Sequence, residues 1–540
     1  MIPARFPIVL LALALSGAAS AQAPAADFTA ERLRAHVAFL ADDLLEGREA
    51  GSRGHEIAAR YVAAQFEALG LSPGAAGGWY QNVPFRLFSM TAPATLRIGE
   101  RSFVHGRDLN FRQSPETGRL RLEAPAVFAG HGVEAPSLGI DDYRGLDVRG
   151  RVVVVLSGAP EGLASDVAAH LNNEKRRVAA RRGAVGLIML RSPEESRRFP
   201  YSRSTGRASE PGLAWIDTSG APYVDSPGLR FIATADTALG EALFVGARRS
   251  FAEVHARAAR GARTKGFALR HTVSVERDSE SSEMSSPNVV AVLRGSDPAL
   301  ADEYVLLMAH LDGLGTSSRG EGDRIRNGAM DNASGVATLL EVARRMIESG
   351  ERPRRSILFA AVTAEEKGLL GAQYLARNPV VDGRIVGAVN LDMPILTYDF
   401  SDVIAFGAEH STLGQIVARA AARMNVAVLP DPLPEQGLFT RSDHYMFVRE
   451  GIPAVFLMTG FANGGERRFR DFLATHYHSP TDDMAQPFDW RAATRFAELN
   501  YLIAREIADG EQAPLWNEGS FFGDRFAARS PRAPAPAGQR

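Results

Sequence analysis

Three uninterrupted apolar runs, Tyr304 to Met308, Ile357 to Val362 and Ile385 to Leu391, each lead directly into side chains that can bind a metal or move a proton. The first continues as Ala309-His310-Leu311-Asp312, the second as Thr363-Ala364-Glu365-Glu366, and the third ends in Asp392. Helical patterns lie between them. From Gly335 to Ser349, Val336, Leu339, Leu340, Ala343 and Ile347 share one face, and Gly350 stands where a C-terminal cap belongs. A second helix is predicted near Leu369 to Leu375. Strands that are apolar on both faces and alternate with such helices require a largely parallel sheet covered on both sides. Chemistry in such sheets gathers beyond the carboxyl ends of the strands. That is where His310, Asp312, Glu365, Glu366 and Asp392 fall, so the expected fold class is α/β, a mixed, largely parallel sheet sandwiched by helices.

A single strand-end acid reads as a cap or a solvated loop residue. Recurrence at the same end of successive strands reads as one site, and two further phrases add to it. Asp331-Asn332-Ala333-Ser334-Gly335 opens a helix, and His476-Tyr477-His478-Ser479-Pro480 lies downstream. The chain contains no cysteine, which removes disulfides, thiolate ligands and a thiol nucleophile. Any metal is then held by His, Asp or Glu.

With 540 residues the chain exceeds the size of one ordinary core, and two domains are expected. Its 45% apolar and 23% charged residues are those of a globular protein. A formal net charge of -2 offers no field to gather phosphate backbones, so nucleic acid is not an expected partner. Residues 1–21 combine Arg5, the apolar run Phe6 to Leu15 and the small-residue end Ala19-Ser20-Ala21, the order of an export signal. No other stretch is apolar enough to span a membrane. The expectation is an exported protein, periplasmic or extracellular, with no membrane span after cleavage. Phe28 to Leu71 reads as two helices flanking the turn Gly47 to Gly54, and 91–280 changes to short β-rich runs with a strand at Val152 to Leu156 and a charged helix at Asn172 to Arg182. Ala527 to Arg540 reads as a disordered tail.

The ordered phrases around His310, Asp331, Glu366, Asp392 and His478 resemble the co-catalytic zinc aminopeptidases, a family that includes secreted leucyl aminopeptidases, glutamate carboxypeptidase and glutaminyl cyclase. Tyr143 to Gly150 resembles the entry to a protease-associated domain. The resemblance implies a zinc exopeptidase fold at 27–90 and 281–512, an inserted protease-associated domain at 91–280, and a C-terminal extension at 513–540. It also implies two zinc ions per chain, one on His310 and Asp392, one on Glu366 and His478, with Asp331 bridging both and a cis peptide between Asp331 and Asn332. Glu365 would be the general base. Asp312, two residues after His310 on a pleat of period two, would accept the free ring N–H of that histidine. Tyr477 would donate to the oxyanion, a role to set against simple packing. His444 is read as pocket-shaping, and His476 competes with His478 for the ligand position. The substrates implied are peptides, cut at the amino end. A carboxypeptidase or dipeptidase on the same scaffold needs a basic pocket, for which Arg319, Arg324, Arg326 and Arg441 stand near the metal phrases. A glutaminyl-cyclase-like enzyme would bind one zinc. A non-catalytic receptor-like protein would have lost ligands, and all five are present.

Overall fold

The computed structural model describes residues 27–192, 195–196, 210–317 and 322–536; the expected export signal lies outside them. The apolar runs form the middle of one sheet. Strand Glu303–His310 pairs in parallel with Ser356–Val362 on one side and Arg384–Leu391 on the other. Arg384–Leu391 continues in parallel to Ala454–Thr459, which is flanked by antiparallel Asp402–Phe406. At the opposite edge, Val289 to Leu293 runs antiparallel to Ser356–Val362. Every residue of Ser356–Val362 is buried, as a strand covered on both faces must be. Helices Ala30–Leu40, Ser334–Glu348 and Trp490–Asp509 pack together against it, and Leu370–Arg377 packs with His444–Arg449. The sheet is thus mixed, mostly parallel and flanked by helices.

The helix ends follow local chemistry. Ser52 accepts the N–H of His55 and starts Arg53–Ala68, and Asp489 accepts from Arg491 and Ala492 and starts Trp490–Asp509. The predicted helix at Asn172 to Arg182 is longer, Ser165–Arg181. Its first two turns bury Val167 and Leu171, a short apolar stripe that the surrounding polar residues masked. At the other end of the chain, the expected disorder from Ala527 onward is corrected for part of the tail. Arg532–Ala533 pairs with Trp516–Asn517, because backbone pairing is indifferent to the Pro/Ala/Arg composition that suggested disorder. Residues 537–540 lie outside the described part.

Two antiparallel strands, Tyr80–Met90 and Phe267–Leu293, run out of the main sheet as a ribbon. The first half of Phe267–Leu293 pairs with Gly118–Phe128. Residues between 94 and 275 bury a second apolar cluster of their own, with Leu96, Phe128, Val154, Phe231 and Phe251 at its centre. Helix Ser165–Arg181 from this part returns to the main sheet's loops. Its Asp166 bonds the ring of His410, its His170 meets Tyr445 Oη at 2.5 Å, and its Asn173 donates to Thr440.

Phe359 is fully buried at the middle of the sheet. Phe359→Ala is expected to lower unfolding stability by about 3–5 kcal/mol in denaturant titrations followed by circular dichroism; a loss below ~1 kcal/mol would mean the sheet is not packed on both faces.

Candidate metal centre

Strand ends deliver the site. His310 closes its strand, Asp392 follows Leu391, and Glu365 and Glu366 stand just past Val362. Asp331 sits in the turn before helix Ser334–Glu348, and His478 follows helix Gly465–Thr475 with φ +60°. These side chains converge as two groups that share Asp331. His310 Nε2 lies 3.1 Å from Asp331 Oδ1 and 3.2 Å from Asp392 Oδ1. His478 Nε2 lies 3.4 Å from Asp331 Oδ2 and 3.2 Å from Glu366 Oε2. Each oxygen of one carboxylate therefore faces a different histidine. Donor atoms on a tetrahedral ion at ~2.0–2.1 Å are separated by roughly 3.3–3.4 Å, so both groups have the spacing of a coordination shell.

Electrostatics gives the same answer. Burial alone would lower the pKa of His310, but Asp392, Glu365 and hydrogen bonds to Asp331 and Asp392 outweigh it and hold the pKa well above the usual value. Burial likewise opposes protonation of His478, and Asp331 and Glu366 raise it to about 9. Burial pushes Glu365 well above an ordinary carboxyl, with Glu366, Asp392 and Asp443 adding to the effect and His310 opposing it. So much buried negative charge must be matched by positive charge. Neutral histidines bound to divalent ions meet that demand, and all the donors are nitrogen and oxygen.

Asp312 does more than face His310. The ring Nδ1 of His310 contacts the backbone carbonyl of Asp312 at 3.1 Å, with the carboxylate farther off at 3.9 Å. That carboxylate accepts the N–H groups of Glu365 and Glu366 at 3.0 and 3.3 Å. The pleat brings residue 312 to the correct side, but the two unpaired amides beyond strand Ser356–Val362 capture its side chain. Asp312 thus ties one ligand strand to the next. The peptide bond between Asp331 and Asn332 is cis, as the resemblance implies.

The supporting shell was largely invisible in the sequence. Asp482, 2% exposed, accepts the N–H groups of Met330 and Asp331 at 2.8 and 3.0 Å; burial raises its pKa to about 7. Arg48, 1% exposed, donates to the carbonyls of Leu311, Asn327 and Gly328 at 3.0, 2.6 and 3.1 Å and also to Leu40. Asn332 accepts from Gly335 and donates to Leu391. Ser442 donates to Asp392 Oδ2 at 2.5 Å and accepts from Asn390. Of these, Arg48 carried a signal through the turn Gly47 to Gly54 and Asn332 through the phrase that opens the helix after Asp331, whereas Asp482 carried none.

The ring of His476 turns to the carbonyl of Thr481 at 2.8 Å, away from the acids, whereas His478 joins them. His444 is buried between Phe439 and Phe456, burial lowers its pKa to about 3, and it packs behind the site as a neutral ring. Tyr477 stacks on His478, and Arg441 Nη2 approaches its oxygen at 3.4 Å. Arg319 lies outside the described residues, Arg324 is exposed, and Arg326 donates to Leu314. A small recess of about 40 Å³ beside Asp331, Asp392 and His478 is walled by Met393, Leu438, Phe456 and Met458. A larger cavity of about 600 Å³ opens from Glu365, Glu366, Tyr477 and His478 towards residues 112–115, 173–177 and 212–232.

Because Arg48 spans four carbonyls around the ligand turns, Arg48→Met would leave them buried and unpaired. A loss of about 3 kcal/mol or more in unfolding stability is expected; an unchanged denaturation midpoint would show that the turns hold themselves.

Sequence comparison is consistent with this geometry. A probable zinc metalloprotease of Pyricularia oryzae is 30% identical over 280 residues, 49% of this chain and 50% of that protein. A probable zinc metalloprotease of Pyrenophora teres f. teres is 42% identical over 109 residues, 19% of this chain and 22% of that protein. The chain thus covers half or less of the length of these relatives. In structure, an aminopeptidase from Aneurinibacillus sp. strain AM-1 superposes with a TM-score of 0.52 at 21% identity, over 89% of this chain and 94% of the other, a likeness of fold. The family that this chain matches, over residues 288–504 that include His310, Asp331, Glu366, Asp392 and His478, is peptidase family M28.

Proposed function

We propose that this chain is a two-zinc peptidase that removes amino-terminal residues from peptides. The observation that carries this reading is the shared carboxylate. Asp331 offers one oxygen to the His310–Asp392 group and the other to the His478–Glu366 group, the arrangement that holds two ions at the ~3.5–4 Å spacing of co-catalytic sites. His310 and Asp392 would hold one zinc, and Glu366 and His478 the other. Bound zinc would supply Lewis acidity for the scissile carbonyl and lower the pKa of water towards ~7.

The remaining work falls to the chain's own groups. Glu365 borders both the small recess and the large cavity, so its carboxylate can take a proton from water on one side of the scissile bond and return it to the leaving amine. It ligates in neither group, although it neighbours Glu366 in sequence. Tyr477 accepts from Arg441, which leaves its phenol O–H free to donate to the carbonyl oxygen as charge develops there. Burial raises the phenol's pKa and keeps that proton in place. The recess bounded by Met393, Leu438, Phe456 and Met458 suits one apolar terminal side chain, and Asp392 and Glu365 at its mouth suit a free α-ammonium. This supports cutting from the amino end.

Residues 91–280 act in this reading as an inserted domain that roofs the cavity, supported by their separate apolar core. The order of residues 1–21 supports export to the periplasm or beyond.

Two measurements test the assignment. Metal analysis is expected to find two zinc ions per chain, and Asp331→Ala to lose both; one ion per chain would favour cyclase-like chemistry. Glu365→Gln is expected to keep its zinc while turnover of a leucyl anilide falls by roughly 10²-fold or more; near-normal turnover would remove Glu365 from the mechanism.

A further inference from the structure

The large cavity changes character away from the histidines. There its walls carry Arg112, Arg176, Arg177 and Arg449 against a single carboxylate, Asp225. Asp225 is already committed. Its Oδ2 accepts from Arg176 and Arg177, each at 2.7 Å, and although burial disfavours its charge, these partners hold its pKa below the usual range. Arg449 approaches Glu174 at 3.9 Å, a carboxylate also bonded to Arg177 and Arg525. Arg112 is left over. It follows strand Leu109–Phe111, its backbone N–H is fixed on the carbonyl of Ile232, its side chain lines the cavity, and among the described residues no carboxylate lies within ion-pair distance of it, Asp225 attracting it only from farther off. The neighbouring Arg176 charge, with loss of solvent around the guanidinium and the more distant Arg177, outweighs the attraction of Asp225 and lowers its pKa to about 10. An arginine held against like charge beside a substrate cavity is a receptor for an anion.

We infer that Arg112, with Arg176 beside it, receives a carboxylate on the leaving fragment of the substrate, so that short peptides bearing a free C-terminal carboxylate or an acidic side chain beyond the scissile bond are preferred. The inference rests on the peptidase reading above and gives it a substrate class. It also assigns work to the inserted segment, since Arg112 and Arg176 both belong to it whereas the reacting groups belong to the main sheet. The arginines that the sequence placed near the metal phrases, Arg324 and Arg326, do not line this cavity, whereas Arg441 lines it nearer to Tyr477.

The test reads binding as well as turnover. Calorimetry on zinc-loaded Glu365→Gln protein would compare the tripeptide Leu-Gly-Gly, its C-terminal amide, and the amide of Leu-Glu-Gly. The free acid is expected to bind about 10-fold or more tightly than its amide, in the range of a charge-assisted hydrogen bond. The glutamyl amide tells an acidic side chain from a terminal carboxylate as the preferred anion. Arg112→Gln added to this background should bring the advantage below about threefold. If that variant fails to fold, rising salt on the parent protein should erode the same advantage, as screening requires. Equal affinity for acid and amide, no binding of either, or an advantage that survives Arg112→Gln or high salt would overturn the inference. Absence of turnover by the unmutated enzyme with zinc bound would instead defeat the peptidase reading, and the binding comparison would still decide this one.

Discussion

Buried negative charge at one edge of a parallel sheet is the constraint around which the rest of this structure is arranged. Among the described residues, Asp331, Asp392 and Glu366 stand within reach of only two histidines, and Asp312 and Asp443 are fully buried close by. Uncompensated, such a cluster would oppose folding. The structure meets it in two ways. Donor pairs converge at coordination spacing, where dications can sit, and Arg48 brings a positive charge beneath the turns, where Asp482, Asp312, Asp331 and Glu366 offset part of the cost of its burial.

Position in this site is fixed by backbone amides and carbonyls more than by side-chain pairs. Asp482 grips the Asp331 turn through two N–H groups, Asp312 grips the Glu365–Glu366 turn through two more, and Arg48 collects carbonyls from three segments, at Leu40, Leu311 and Asn327–Gly328. Each grip links elements distant in sequence, so displacement of one ligand strains the others. Such preorganisation is what a site needs to hold reacting atoms without reorganisation.

The ligand-bearing strands were legible because a parallel strand buried on both faces has little freedom in sequence. Its apolar run and the polar residue at its end are both visible, and Tyr304 to Met308 and Ile357 to Val362 appear as strands within one or two residues. Asp331 was legible through its helix start. Asp482 and Ser442 were not, since their roles arise from loops folding back over 152 and 50 residues, a distance at which periodicity carries no information. The grip of Asp312 on the Glu365–Glu366 turn was hidden for a related reason: alternation along a strand tells which side a residue faces but not which further neighbours share its carboxylate. The arginines of the cavity were equally hidden, because Arg112, Arg176 and Arg449 come together only when the segment between 91 and 280 lies against the main sheet.

The most direct test of the central claim is anomalous diffraction at the zinc edge from crystals of the zinc-loaded protein. The account predicts two peaks about 3.5–4 Å apart, one on either side of the Asp331 carboxylate, the first against His310 and Asp392 and the second against Glu366 and His478. A single peak, or peaks away from Asp331, would contradict it.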